Sequence, residues 1–198
     1  MKYFPFFLQL NKLSCLIIGG GSVAERKLDL LVKANADITI VSIEFTDYIL
    51  ELSKTNNIKC ITKEYSQKLL EEKRYKFVIA ATNNVTLNEQ VAKDCDNHNI
   101  LINVVDQPNI CDFIFPSILE RGDITVAVST GGASPVLARM LRTKLETMVP
   151  SNYGKLAAIV SANMIKVRDK MKKFSSNKIF WEQMLNGKFF ELVLSGRN

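Results

Sequence analysis

A glycine-rich stretch near the N-terminus constrains this chain more than any other feature. Four apolar residues at 15–18 precede three glycines at 19–21, and an amphipathic pattern follows them. In the dinucleotide fingerprint, one glycine permits a tight turn, another lets a pyrophosphate approach the backbone, and a small residue keeps the helix near the strand. Gly19, Gly21 and Ala24 match these positions. We therefore predict a dinucleotide site, with a plain structural turn as the alternative.

The helix predicted over 22–34 completes this site. The backbone N–H groups of Ser22 and Val23 would lie at its N-terminus, where free donors and the positive end of the helix dipole attract phosphate. An apolar stripe along the same segment predicts that one face of the helix is buried. A strand, a glycine turn and a helix in this order are more specific than the glycines alone.

The end of the second predicted strand suggests which dinucleotide is bound. In many such folds an acidic residue about 20 positions after the glycines holds the adenine ribose. Here the strand ends in Ser42, Ile43 and Glu44. Glu44 is a candidate ribose acceptor although it lies two residues late, and Ser42 is the alternative. No arginine stands here for a 2′-phosphate, which favours NAD over NADP.

Strand and helix patterns alternate through the first half of the chain. This alternation predicts an α/β, Rossmann-like parallel sheet with helices on both faces and a ligand outside the carboxyl ends of the strands. The predicted strands are 13–18, 37–42, 58–61, 76–81 and 101–105, and the predicted helices are 22–34, 45–54 and 84–97.

Polar residues follow the fourth and fifth predicted strands. Thr82 and Asn83 could reach the nicotinamide or a ribose, whereas capping of the next helix by Asn83 or Asn84 is the structural alternative. Asp106 is placed at the same edge as the glycine turn, where a carboxylate could accept a proton while a hydride leaves to the cofactor. An Asx-type turn before Pro108 would explain Asp106 equally well.

The alternation stops after Pro108. Segments 113–119 and 124–129 predict a hairpin, and a second glycine-containing loop then opens a helix with Ser134 as N-cap and Pro135 at its first position. Such a loop offers hydroxyls and backbone N–H groups to an anion, and an ordinary capped helix start is the alternative. The loop residues that we expect to bind an anion are Ser129, Thr130, Gly131, Gly132, Ser134 and Arg139.

Composition and charge bound the remaining possibilities. The net charge is +6, and residues 151–198 hold nine basic and three acidic side chains, so the whole excess lies there. This helical segment could attract a polyanion, but a solvated helix face explains the charges better, and no interleaved aromatic platform supports nucleic-acid binding.

No apolar run approaches the roughly 18 residues that span a bilayer. With no signal-peptide pattern and four widely spaced cysteines, we expect a cytoplasmic protein with buried thiols.

Six ordered motifs resemble one known family. The family is precorrin-2 dehydrogenase, which is also the N-terminal module of siroheme synthase. The likeness covers nearly the whole chain, and its most specific motif is the last, which generic Rossmann proteins lack. The motifs are Phe6-x-x-Gln9-Leu10, GGGSVAERK at 19–27, AATNN at 80–84, NVVDQP at 103–108, FIFPSI at 113–118 and VAVSTGGASPVLAR at 126–139.

The resemblance implies a function and a set of roles. It implies NAD-dependent oxidation of precorrin-2 to sirohydrochlorin and, in some members, ferrous insertion to give siroheme; whether this chain inserts iron stays open. It assigns Asp106 as the general acid-base group, also during chelation, with no fixed metal site. Asn103 and the loop that begins at Ser129 would hold the substrate. The rival hypothesis is an NAD-sensing module without catalysis.

The resemblance also implies a domain organisation and an assembly. An NAD-binding Rossmann domain would span 1–112, a hairpin and helix for dimerisation and substrate binding 113–150, and a helical C-terminal domain 151–198. The resemblance implies an intertwined homodimer, in which the segment after Pro108 pairs across the two-fold axis. We expect precorrin-2 and sirohydrochlorin as small-molecule partners, with neither nucleic acid nor membrane.

Overall fold

The computed structural model describes residues 2–170 and 174–194, and it divides the chain into two compact units, Met1–Ile114 and Phe115–Asn198. In the first unit the elements are β1 (Ser14–Ile18), α1 (Ser22–Lys33), β2 (Asp37–Ser42), α2 (Asp47–Thr55), β3 (Ile58–Thr62), α3 (Leu69–Glu72), β4 (Phe77–Ala80), α4 (Val85–Asn97), β5 (Leu101–Val104) and a 3-10 turn (Pro108–Ile110). In the second they are β6 (Ser117–Arg121), β7 (Ile124–Val128), α5 (Pro135–Met148), α6 (Asn152–Lys170), α7 (Phe174–Leu185) and α8 (Lys188–Leu194).

The first unit is a five-stranded parallel sheet in the order β3-β2-β1-β4-β5. Strands β1 and β4 are buried along nearly their whole length, as expected for a sheet covered on both faces. The order reverses between β1 and β4, because the chain moves outward through β2 and β3 and then returns to the other side. Ligands bind at such a reversal. The predicted Rossmann-like fold is therefore confirmed.

Two residues after the end of α1, and likewise of α4, lies an asparagine in the left-handed conformation. Asn35 has φ 53° and Asn99 has φ 54°. After each asparagine the next N–H reaches back into the helix: Ala36 donates to the Leu31 oxygen (3.1 Å), and Ile100 donates to the Cys95 oxygen (2.9 Å). These are the hydrogen bonds of a Schellman cap, which asparagine tolerates at low cost. Both caps direct the chain into the following strand.

Several predicted bounds were wrong by a few residues. Helix α2 begins at Asp47 rather than 45, because the Thr46 hydroxyl accepts the Ile49 N–H (3.4 Å) as its N-cap. The hairpin begins at Ser117 rather than 113. Residues 111–113 instead lie against β5, where the Asp112 N–H donates to the Ile102 oxygen and the Asp112 carboxylate accepts the Ile102 N–H, both at 2.9 Å.

The second unit is built on the β6–β7 hairpin, with α5 and α6 packed against it. Its two-residue turn is centred on Gly122, whose φ is +60°. Leu119 is buried, and the inward and outward faces of β7 alternate, as expected for a hairpin covered on one side. Helix α5 begins as predicted, with Ser134 capping the Leu137 N–H (3.1 Å) and Pro135 at its first position.

An ion pair at the start of β2 makes stability depend on acid pH. The Asp37 carboxylate accepts from Lys73 (2.6 Å) and Ser14 (2.9 Å), and its bond to the Lys73 ammonium holds the pKa of Asp37 below its ordinary value of 3.8. Because the native state binds this proton less readily than the unfolded chain, the stabilisation is present above that value and is lost as pH falls through the native pKa. Both side chains are about one-third exposed, so the contribution is below about 1 kcal/mol.

We expect Asp37→Asn to lower the thermal midpoint at pH 7 and to approach the wild-type midpoint as pH falls below 3.8. Thermal unfolding followed by circular dichroism between pH 7 and 3 measures this difference. Glu51→Gln is the control, because the Glu51–Lys54 pair is about 70% exposed and contributes little. A difference between Asp37→Asn and wild type that stays constant with pH would contradict the assignment.

Candidate functional site

The three glycines after β1 have three different surroundings. Gly19 has φ +114°, and a Cβ there would lie 2.4 Å from the Ala81 oxygen. A Cβ on Gly20 would lie 2.1 Å from the Glu44 oxygen. Gly21 differs, because among the described residues, its two chain neighbours apart, no atom lies within 4 Å of the position that its Cβ would take. The fold therefore requires the first two glycines, whereas the open space at Gly21 leaves room for an approaching ligand.

Helix α1 begins directly at this open glycine. Gly21 is the N-cap, without any side-chain cap, and Ser22 and Val23 form the first helical positions. An N-terminus without a side-chain cap presents its N–H groups and its dipole to an anion. Open space over Gly21 and uncapped N–H groups beside it are what a pyrophosphate needs. The residues present therefore fit a dinucleotide.

The segment after β2 lies against the same turn. The Thr46 N–H donates to the Gly20 oxygen (3.0 Å), and the Ser42 Cβ would lie 3.0 Å from a Cβ on Gly20. Ile43 and Glu44 are exposed just beyond the strand. The structure thus brings all three predicted ribose-side residues to the glycine turn, and which of them contacts the ribose stays a prediction.

The segment after β4 forms the other side of the turn. Asn84 caps α4 by accepting the Leu87 N–H (3.0 Å), which was the structural alternative considered from sequence. The Thr82 hydroxyl donates to the Oδ1 of buried Asn88 (2.7 Å), a residue that sequence reasoning missed. Asn83 is exposed at the sheet edge. Contact of Thr82 or Asn83 with a cofactor stays a prediction.

Asp106 lies in the turn that follows β5. The Val105 N–H donates to the Ala80 oxygen (3.0 Å), and the Gln107 N–H closes the turn on the Val104 oxygen (3.4 Å). Asp106 is exposed and has φ 60°, a left-handed conformation that aspartate adopts more readily than most residues. The turn closes through backbone atoms, so this closure does not use the Asp106 carboxylate.

Lys27 lies on helix α1, which begins at the glycine turn, and its charge interacts with that of Asp106. Burial, and next the charge of Arg26, lower the pKa of the Lys27 ammonium, whereas the charge of Asp106 raises it. Opposite charges attract each other in this way, and screening by salt limits the range of the attraction. The helix that begins at the phosphate-binding turn therefore shares one electrostatic environment with Asp106.

Asn103 is a buried residue of strand β5, three positions before Asp106. Its side-chain amide donates to the Phe113 oxygen (2.9 Å), so it orders the segment that returns along β5. Phe113 packs edge-on against Phe77, with ring centroids 5.3 Å apart. The structure thus gives Asn103 a packing role, and its contact with substrate stays a prediction.

The loop before α5, in the second unit, is held by its own hydroxyls. The Ser129 hydroxyl accepts the Gly131 N–H, and the Thr130 hydroxyl accepts the Ser134 N–H, both at 3.0 Å. Gly131 and Gly132 have φ of 64° and 88°. Ser129 is exposed, and Arg139 is exposed on the second turn of the helix. Anion binding by this loop stays a prediction.

The cysteines are thiols rather than bridges. All four are free; Cys15 and Cys95 are buried, and burial raises the pKa of each to about 12. Burial also raises the pKa of partly buried Cys60 and Cys111. Thiols protonated in this way are poor nucleophiles and poor metal ligands at neutral pH. Within residues 2–170 and 174–194, no group of three or more His, Cys, Asp and Glu side chains is placed to hold a metal ion.

Comparison with protein families assigns the chain. The model described as putative NAD(P)-binding matches residues 6–117, more than half of the chain. Models of the sirohaem biosynthesis protein central region and of the sirohaem synthase dimerisation region match residues 121–148 and 152–198. The chain belongs to the putative NAD(P)-binding family. The family resemblance inferred from the six motifs is confirmed, and the cofactor is a nicotinamide dinucleotide.

Curated relatives of this NAD(P)-binding chain are longer than it is. It is 44% identical over 197 residues to the siroheme synthase of Methylococcus capsulatus and 44% identical over 194 residues to that of Actinobacillus succinogenes. These alignments cover 100% and 98% of the chain but 41% and 40% of the relatives. The chain therefore spans about two-fifths of the length of the curated relatives it matches.

A solved structure shares the fold over most of its length. The structure titled "SirC, precorrin-2 dehydrogenase" aligns with a TM-score of 0.77, covering 94% of this chain and 92% of that one at 21% identity. At this identity the likeness concerns the fold. In the described part of the chain, no helix is both long and apolar enough to cross a membrane.

Proposed function

We propose that this chain oxidises precorrin-2 to sirohydrochlorin with NAD as hydride acceptor. The observation that carries the proposal is the exposed Asp106 carboxylate, which lies at the carboxyl edge of the sheet in the electrostatic environment of the helix that begins at the glycine turn. The siroheme synthase relatives and the precorrin-2 dehydrogenase fold support the substrate.

The residues around the glycine turn would hold the cofactor. We place the pyrophosphate over Gly21, at the N–H groups of Ser22 and Val23, because this is the open face of the turn. The adenine ribose would lie at Ser42 or Glu44, and the absence of an arginine from 42–44 favours NAD over NADP. NAD, when bound, supplies an acceptor for one hydride.

Asp106 would accept the proton that the reaction releases. Oxidation of precorrin-2 to sirohydrochlorin removes two hydrogen atoms, one leaving as a hydride and the other as a proton. Asp106 is exposed at the sheet edge where such a proton would be released.

The loop of the second unit fits the other requirement of this substrate. Precorrin-2 is a polycarboxylate, and carboxylates are bound by arginine, hydroxyls and N–H groups at helix starts. Arg139, Ser129 and the start of α5 offer these groups. The positive charge of residues 151–198 would add long-range attraction. Of the basic residues there, Lys172, Lys173 and Arg197 lie outside the described residues.

We further propose that the chain is a cytoplasmic homodimer. Residues 152–198 match a dimerisation region, and several large apolar side chains on α5 and α6 are exposed in the single chain. A monomer rarely exposes a contiguous apolar surface, so a second copy is the natural cover. Four free thiols agree with a reducing compartment. The exposed side chains are Val136, Leu137, Met140, Leu141, Met148, Ile159, Met164 and Ile165.

Anaerobic incubation of the full chain with precorrin-2 and NAD tests the reaction. We expect the absorbance spectrum to change to that of sirohydrochlorin with formation of one NADH per tetrapyrrole, and we expect NADP to support a much slower change. Omitting either the protein or NAD provides the control. Binding of NAD without any turnover would contradict catalysis and would favour an NAD-sensing module.

Ferrous insertion is tested in the same vessel. Addition of ferrous ion after the first spectral change would produce the siroheme spectrum if the chain also catalyses chelation, in which Asp106 would accept the displaced pyrrole protons. The rate is compared with that of the same mixture after the protein has been removed. A protein-dependent first step without a protein-dependent second step would identify a dehydrogenase only.

A further inference from the structure

Asn88 is a buried polar residue on the first half of helix α4, and its side chain makes three hydrogen bonds to Thr82. It is 3% exposed. Its Oδ1 accepts the Thr82 hydroxyl (2.7 Å) and the Thr82 N–H (3.4 Å), and its Nδ2 donates to the Thr82 oxygen (3.0 Å). One amide thus binds both backbone polar groups of Thr82, as a neighbouring strand would do.

The segment that Asn88 holds is a wall of the glycine turn. A Cβ on Gly19 would lie 2.4 Å from the Ala81 oxygen and 3.2 Å from the Thr82 nitrogen. Strand β4 ends at Ala80, so the sheet's own hydrogen bonds position Ala81, whose N–H donates to the Ile18 oxygen (2.8 Å), but no strand continues beside Thr82. Asn88 replaces the missing strand at this position.

We propose that Asn88 is a positioning residue for the dinucleotide: it holds the peptide at Thr82 against the glycine turn, at the spacing that the cofactor requires. The proposal rests on the assignment of the glycine turn as the cofactor site. Asn88 touches neither the cofactor nor the substrate in this role. It acts through Thr82, and its loss changes the shape of the site rather than its chemistry.

A second buried polar residue on the same helix provides the matched comparison. Asp94 is 4% exposed and accepts hydrogen bonds from Tyr65 (3.0 Å) and Gln90 (2.8 Å). It lies six residues further along α4, which is about 9 Å along the helix axis. Removing its bond to Tyr65 breaks a part-buried hydrogen bond of similar length without altering Thr82.

The test compares NAD binding by the full chain and its Asn88→Asp, Asn88→Ala and Tyr65→Phe variants, using isothermal titration with NAD and thermal unfolding without it. Asn88→Asp keeps both acceptor bonds but replaces the donor to the Thr82 oxygen by a second acceptor. Asn88→Ala removes all three bonds. We expect the dissociation constant for NAD to rise roughly tenfold in Asn88→Asp and further in Asn88→Ala, and to change less than twofold in Tyr65→Phe.

Steady-state kinetics supply a readout that a purely structural role would not change. We expect KM for NAD to rise in Asn88→Asp while kcat at saturating NAD stays within about twofold of wild type, since binding energy restores the site once NAD is bound. If Asn88→Ala does not fold, the NAD affinity and KM of Asn88→Asp test the proposal. Wild-type NAD affinity in a folded Asn88→Asp variant, or an equal loss in Tyr65→Phe, would overturn the proposal.

Failure of the proposed function is distinguishable from failure of this inference. A wild-type chain that binds NAD but does not oxidise precorrin-2 would overturn the proposed reaction, and the titrations would still test Asn88. A wild-type chain with no measurable affinity for NAD would overturn the inference together with the cofactor site on which it rests.

Discussion

Asp106→Asn is expected to lower kcat for precorrin-2 oxidation by about 10²–10⁴-fold, the usual contribution of a positioned general base. Asparagine has nearly the same shape as aspartate but cannot accept the proton. It also tolerates the left-handed conformation at φ 60°, so the backbone turn is retained. We expect the free energy of unfolding to change by no more than about 0.5 kcal/mol. Anaerobic absorbance assays at saturating NAD measure kcat, and titration measures NAD affinity.

The control for this variant is Asp123→Asn. Asp123 is also an exposed aspartate in a turn, but it lies in the β6–β7 hairpin and has no role in our proposal. We expect it to leave turnover unchanged. NAD affinity should be within about threefold of wild type in both variants, because neither side chain is placed on the pyrophosphate. Full turnover in Asp106→Asn would show that another group takes the proton.

Gly21→Ser is expected to weaken NAD binding by at least about tenfold, which corresponds to about 1.4 kcal/mol, while the fold is kept. In the part of the chain that the structure describes, no atom other than those of the chain neighbours lies within 4 Å of the new Cβ, so the substitution creates no clash there. Gly21 is also the N-cap of α1, a position where serine is among the preferred residues. The new side chain would occupy the space that we assign to the pyrophosphate. Titration with NAD and thermal unfolding measure the two effects.

The same substitution at Gly20 should instead lower mainly the stability of the fold. In Gly20→Ser the new Cβ would lie 2.1 Å from the Glu44 oxygen, a backbone atom that cannot move aside. We expect a loss of about 1–3 kcal/mol in stability, the usual cost of overpacking. If Gly21→Ser destabilised the fold as strongly as Gly20→Ser, or bound NAD normally, the open face at Gly21 would not be the phosphate site.

Local pattern was enough to predict the five strands and three longer helices of the first unit, but not the short helix α3. Strands buried on both faces appear in sequence as short apolar runs, and Asn35 and Asn99 mark the helix ends because few other residues adopt their conformation cheaply. The error at the start of the hairpin occurred where tertiary hydrogen bonds compete with strand propensity. Phe113 is a good strand residue, yet its oxygen accepts from buried Asn103, so the hairpin begins later.

Asn88 shows why part of the site could not be predicted from sequence. In the sequence it is a polar residue in a helix, a position usually exposed to solvent, and nothing marks its pairing with Thr82 six residues earlier. Only packing of α4 on the sheet brings the two together. A faint signal was available, because an asparagine on the apolar face of an amphipathic helix requires a buried partner.

By itself, the amino-acid sequence determined the parallel sheet, the position of the glycine turn and the candidate catalytic Asp106, because each depends on residues adjacent along the chain. The tertiary structure decided how the three glycines divide their roles. It showed that Gly19 and Gly20 face Ala81 and Glu44, whereas Gly21 faces open space. The physical reason is that the space around a residue is set by segments distant in sequence, whose approach depends on the packed sheet.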